Sequence, residues 1–294
     1  MLSPDLFAIY GEIIMRSLRG VEGIKVGGEN INNIRFADDT VLIADTEEKL
    51  QVLLDIVERE SERLGLKINI RKTEVMVASK NPEPPVCNIQ LQGERIKQSS
   101  SFVYLGSLIT QDARCNKEVE KRILIAKNAF NNMKTLLTNN NVGIQTRVRA
   151  LKAYVWSTLT YGSETWTLSN YLKNKIKAAE MWFYRRILRV SWVDRVTNEE
   201  ILRRVGQGRA LLGEIRRRQM EFLGHLIRGE GMEYRCLTGM IEGRRARGRQ
   251  RKKFVDSILE EMEGEMSAVQ LIRTGRCREG WRRVTAHVRD KALR

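Results

Sequence analysis

Apolar residues along this chain change their period, and the change divides it. Up to the neighbourhood of residue 110 the runs are mostly short and alternating. Ile34-Arg35-Phe36 leads into Asp38 and Asp39, and Thr40-Val41-Leu42-Ile43-Ala44 leads away. Two such runs about a turn predict a β-hairpin with two adjacent carboxylates at its tip. Leu50, Leu53, Leu54, Val57 and Leu64 then recur at helical spacing, with Asp45 as the expected N-cap, Glu48 completing a capping box and Gly65 closing the helix. Strands are predicted at Leu66–Ile70, around Glu74–Val77 and over Phe102–Ile109. Residues 1–20 predict a helix carrying Leu6, Ile9, Tyr10, Ile13 and Ile14 on one face. From Asn116 onward the period is helical. Val119 to Leu137, Val148 to Leu159 and Leu172 to Val190 each read as an amphipathic helix. Thr197–Glu200 reads as a second capping box, with Gly206 ending its helix.

Three of the four prolines fall at Pro82, Pro84 and Pro85, which marks a loop. The helix carrying Leu212, Ile215, Phe222, Leu223 and Leu226 also carries Arg216, Arg217 and Arg218, and places His225 beside the apolar side as a packed or hydrogen-bonded residue. Trp156, Trp166, Trp182 and Tyr184 stand among apolar helical positions, which favours core packing over base stacking. Short helices are expected again over Phe254–Glu263 and Trp281–Val288.

Charge sharpens the division. The 294 residues carry a formal charge of +16, which points to a polyanionic partner. Residues 1–100 hold 13 Lys/Arg against 16 Asp/Glu; residues 101–202 hold 16 against 8, and residues 203–253 hold 15 against 5. The densest run is Arg244, Arg245, Arg247, Arg249, Arg251, Lys252 and Lys253, interleaved with glycines. It predicts a mobile linker near 243–253 that serves as a phosphate clamp or a nuclear-import signal. An AT-hook is disfavoured because Gln250 stands where that motif has proline. Cys87, Cys115, Cys236 and Cys277 form no C-x-x-C pair, so no zinc site is expected. No membrane partner and no secretory signal are expected, which leaves an intracellular protein, nuclear or cytoplasmic.

The order of these motifs resembles the palm of a reverse transcriptase of the non-LTR, LINE-like retrotransposon class, with the nearest likeness to the BovB/RTE type. Phe36-Ala37-Asp38-Asp39 is similar to the family's metal-binding hairpin. Gly65–Asn69 followed by Lys72-Thr73-Glu74 is similar to the next motif, whose lysine lies near the incoming nucleotide's phosphates. Tyr104-Leu105-Gly106 is similar to the hairpin that grips the primer end, and Ser3–Phe7 to the tail of an earlier motif. Beyond them, Tyr154-Val155-Trp156, Tyr161–Trp166 and Trp182–Leu188 resemble the thumb and the region after it.

The resemblance implies an α+β fold. An incomplete palm with an antiparallel sheet would occupy 1–113, a helical thumb or connection 114–195, and a basic helical nucleic-acid-binding region 196–294. It implies Mg²⁺ on Asp38 and Asp39, a catalytic role for Lys72, and primer binding by Tyr104, Leu105 and Gly106. RNA template, DNA primer or target, and dNTP are the implied partners of the intact enzyme. Nucleic-acid contacts are expected at Arg216–Arg218 and along the basic run. The family carries a further metal-binding Asp and the fingers upstream of Ser3-Pro4. This chain is therefore expected to be a C-terminal portion, inactive alone as an RNA-directed DNA polymerase. The alternative is a non-catalytic nucleic-acid-binding remnant.

Overall fold

The computed structural model describes residues 3–79, 81, 83–241, 251–262 and 264–292. They form two compact units: Met1–Ala113 with Arg235–Arg247, and Arg114–Tyr234 with Gly248–Arg294.

The first unit opens with α1 (Ser3–Arg16), followed by β1 (Ile24–Val26), β2 (Glu29–Ile31), β3 (Asn33–Phe36), β4 (Asp39–Leu42) and α2 (Glu47–Arg63). After a 3₁₀ turn (Ile70–Lys72) come β5 (Glu74–Val75), β6 (Gln90–Leu91), β7 (Glu94–Arg95), β8 (Lys97–Gln98), β9 (Ser101–Tyr104) and β10 (Ser107–Thr110). The expected palm sheet is not continuous. The described strands make five two-stranded pairs, of which β5–β8 is parallel and the other four antiparallel.

Leu66–Ile70, expected as a strand, pairs with nothing. Its alternation is real, since Leu66, Ile68 and Ile70 pack against the unit's apolar clusters. Among the described residues no ladder partner lies alongside it, and Asn69 instead turns the chain by accepting the Lys72 N–H at 3.3 Å. α2 starts one residue later than expected. Thr46 is its N-cap, accepting the Lys49 N–H, and Asp45 pairs with the Lys49 ammonium at 3.0 Å. Gly65, at φ 74°, closes the helix as expected. Leu53, Leu54 and Val57 hold α2 against two small clusters, one around Ile14, Met15 and Leu18 and the other around Val75, Ile89 and Leu91.

The second unit is helical. It contains α3 (Asn116–Asn132), α4 (Lys134–Leu137), α5 (Ile144–Ala150), a π-helical turn (Leu151–Trp156), α6 (Ser157–Leu159), α7 (Asn170–Ile187), α8 (Asn198–Val205) and α9 (Leu211–Gly229). α10 (Met232–Thr238) begins in this unit and its part from Arg235 belongs to the first; α11 (Phe254–Leu259), α12 (Ala268–Gly275) and α13 (Arg278–Ala292) complete the second. One apolar cluster runs without a break from Val119 to Ile215, across the boundary expected at residue 195. Trp156, Trp166 and Tyr184 lie inside it. Thr197 caps α8 through the Glu200 N–H, but the Glu200 carboxylate turns to Arg203 and Arg204, leaving half of the expected box. Gly224 on α9 is required by close approach. A Cβ there would stand 2.3 Å from the Trp281 indole nitrogen, which donates to the Met220 carbonyl at 2.8 Å.

Candidate active site and nucleic-acid interface

Two tight turns in the first unit carry the candidate chemistry. Phe36 pairs with Asp39 across the β3–β4 hairpin, so Ala37 and Asp38 alone make the turn. Ala37 takes φ 53°, as a two-residue turn with the twist of its strands demands. Asp38 therefore sits at the tip and Asp39 opens β4. Both are exposed, with their carboxylates open to solvent.

The β9–β10 hairpin repeats the device. Tyr104 pairs with Ser107 across Leu105 and Gly106, at φ 46° and 79°. The Tyr104 hydroxyl is buried without a hydrogen-bond partner. Burial raises its pKa, and the negative charge of Asp39 raises it further. Lys72 ends the exposed 3₁₀ turn, and among the described residues no ion pair joins it to Asp38 or Asp39. Among the described residues no group of three or more His, Cys, Asp or Glu side chains is placed to hold a metal ion.

In the second unit the arginines expected as nucleic-acid contacts, Arg216–Arg218, are engaged by groups of the protein itself. Arg216 is fully buried. Its guanidinium donates to Gln219, to the Ser257 carbonyl at 3.0 Å and to Glu261 at 2.7 Å, so it cannot reach a phosphate. Arg217 is bound by Glu214 and Glu221, and Arg218 by Glu214 and Glu164. Arg217 holds the Glu214 carboxyl below its usual range against the opposing effect of burial.

Arg244, Arg245, Arg247 and Arg249 lie outside the described residues. Of the rest of that run, Lys252 pairs with Glu260 and donates to the Leu168 carbonyl, and Lys253 leads into α11 with its N–H on Asp256. Lys252 is thus tied to the protein by its ammonium, and Lys253 stands exposed as the N-cap of α11. His225, expected to be packed or hydrogen-bonded, is exposed.

The sequence reading missed the surroundings of Trp182. Arg186 lies 4.2 Å from its ring centroid and Lys127 5.1 Å away. Arg186 follows Trp182 by one helical turn, so that half was legible; Lys127 comes from α3 and was not.

Residues 1–109 match the family described as reverse transcriptase (RNA-dependent DNA polymerase). The chain is 28% identical over 248 residues to a transposon-derived protein of Caenorhabditis elegans, an alignment covering 81% of this chain and 88% of the relative. It is 33% identical over 125 residues to the retrovirus-related Pol polyprotein from type-2 retrotransposable element R2DM of Drosophila melanogaster, covering 39% of this chain and 12% of that protein. Over 71 residues it is 39% identical to the corresponding polyprotein of the type-1 element R2 of Nasonia vitripennis, covering 24% of this chain and 7% of that one. The chain thus spans most of the worm relative and a small part of each polyprotein. Among the described residues no helix is long and apolar enough to cross a membrane.

Proposed function

We infer that this chain, a non-LTR retrotransposon reverse transcriptase by family, is the palm and thumb portion of an RNA-directed DNA polymerase. The observation that carries this reading is a pair of tight two-residue hairpin turns, one bearing Asp38 and Asp39 and the other following Tyr104, both within the segment matched to that family.

The donor set suits Mg²⁺, a hard cation held in phosphoryl-transfer sites by one or two carboxylates with substrate phosphates completing its shell. Asp38 and Asp39 would hold it, and when bound it would stabilise charge on the oxygens of the displacement. The Tyr104–Ser107 turn would seat the primer's 3′ end beside them, and the exposed Lys72 ammonium would meet the phosphates of a nucleotide. RNA template and DNA primer would lie along the basic second half of the chain.

Acting alone, the chain binds nucleic acid without extending it. Two carboxylates are few for a two-metal site, and no third acidic group joins them among the described residues. The test is primer extension on an RNA template by the purified chain, with nucleic-acid binding followed in parallel. Binding without incorporation is expected. Mg²⁺-dependent incorporation that disappears in Asp38→Asn would make the chain an active polymerase instead. Absence of any binding would remove both readings.

A further inference from the structure

Among the described residues the most exposed large apolar side chain lies on neither hairpin of the candidate active site. Trp192 is 89% exposed and its neighbour Val193 is 77% exposed, on the short connection between α7 and α8. The connection is firmly built. Val190 and Val196 pack against the main apolar cluster at its two ends. Arg185 donates to the Val196 carbonyl at 2.7 Å and to Asn198 at 3.1 Å, tying the base together. Between these anchors Ser191–Asp194 forms a reciprocal capping box around a 3₁₀ turn, with the Ser191 N–H on the Asp194 carboxylate at 2.6 Å. The acid nearest Trp192 is therefore consumed by the backbone.

Two arginines bracket the tip in an unusual conformation. Arg189 has φ 56° and Arg195 has φ 51°, a region where glycine fits more cheaply than any residue with a Cβ. Arg189 follows the last turn of α7 where the Val190 N–H returns to the Arg185 carbonyl at 2.9 Å, a closure that ordinarily selects glycine. Arginine at both places gives up backbone ease and sets an exposed cationic residue three positions to either side of Trp192. Both are exposed, and neither makes an ion pair among the described residues. Arg186, also exposed, adds a third positive charge one turn back on α7.

We propose that the Arg189–Arg195 loop is a contact for unpaired nucleic acid, in which Trp192 stacks on one base while Arg189 and Arg195 engage the flanking phosphates. An exposed Trp with arginines also suits a protein interface. The local charge decides for a polyanion, because Arg186, Arg189 and Arg195 outweigh Asp194, whose carboxylate is held back on the Ser191 backbone. A fixed loop presents the indole with little ordering left to occur on binding, and base stacking on an aromatic ring tolerates any sequence. The proposal rests on the nucleic-acid-binding reading above and locates one of its contacts.

The experiment measures binding of the full chain to a fluorescein-labelled single-stranded oligonucleotide by anisotropy across a salt series. Trp192→Ala should weaken binding about tenfold, within the range of one lost base stack, with the salt slope unchanged. Trp192→Phe should recover most of the loss. Arg189→Gly with Arg195→Gly removes charge and eases the backbone, so loss of binding there cannot be attributed to misfolding. That double variant should lower the salt slope by about 0.7 per phosphate released. Wild-type binding with no change in Trp192→Ala would overturn this proposal and leave the parent reading standing. The same result with altered self-association of Trp192→Ala in sedimentation would assign the loop to a protein contact. No binding by the wild type would fail both.

Discussion

Helix α1 in the first unit and α7 in the second have similar apolar spacing and opposite fates. Leu6, Ile9, Tyr10 and Ile13 on α1 are between 42% and 56% exposed, whereas Leu172, Ile176, Phe183 and Ile187 on α7 are at most 1% exposed. The contrast extends through both units. Among the described residues the first has small apolar clusters, two-stranded hairpins and an exposed pair of aspartates, whereas the second buries a long cluster from Val119 to Ile215 and a further set that includes Met220, Leu223, Ile258 and Trp281. Periodicity determines that an apolar face exists, while a partner surface determines whether it is covered. Ile34, Phe36 and Val103 on the hairpins of the first unit are also more than a third exposed, so its candidate chemistry stands on an open surface. In the second unit even charged groups are drawn into the interior.

The largest effect should come from that interior. Arg216→Met removes a buried cation and leaves the Ser257 carbonyl and Gln219 without their donor, although Lys173 still pairs with Glu261 at 2.8 Å. Breaking one side of a buried ion pair costs about 3 kcal/mol or more. Urea unfolding followed by tryptophan fluorescence is suited to this, because all five tryptophans belong to the second unit. A variant of wild-type stability that has lost nucleic-acid affinity would mean that Arg216 is a binding residue after all.

An intermediate effect concerns Glu180, buried within the second unit, whose carboxylate accepts the Ala210 N–H at 2.7 Å and the Leu211 N–H at 3.0 Å. Burial raises its pKa above the ordinary 4.5 despite those donors. A carboxyl raised in the folded state binds more protons there than in the unfolded chain. Its contribution to stability is greatest below 4.5 and declines as pH rises through its folded value. Glu180→Gln should remove that decline in the fluorescence-detected transition. Depressed carboxyls such as Glu12, paired with Arg16 and Arg35, work in the reverse direction, losing their stabilisation as pH falls. A decline of equal slope in Glu180→Gln would place its source elsewhere.

The smallest effect should come from the open hairpin of the first unit. Asp38→Asn with Asp39→Asn alters two exposed side chains and no described ion pair, so stability should stay within about 0.5 kcal/mol. Circular dichroism, which reports both units, is the measurement. A shift of a degree or two is tolerable, but a loss as large as that of Arg216→Met would give the pair a structural role and erase the difference between the units.

Much of this molecule was legible from local pattern. The Asp38–Asp39 hairpin, α2 with its Gly65 stop, the helical series from Asn116 and the Gly206 cap were all written in residues that act within a few positions of one another. Turn geometry and helix periodicity depend on near neighbours, and near neighbours are what a sequence displays. Tertiary structure decided the rest. Leu66–Ile70 alternated correctly yet found no strand to pair with, and a ladder needs two. Arg216 and Arg189 are the same residue in the same basic half. One is sealed against Glu261 and the other stands exposed, because among the described residues the folded chain brings a distant acid to only one of them.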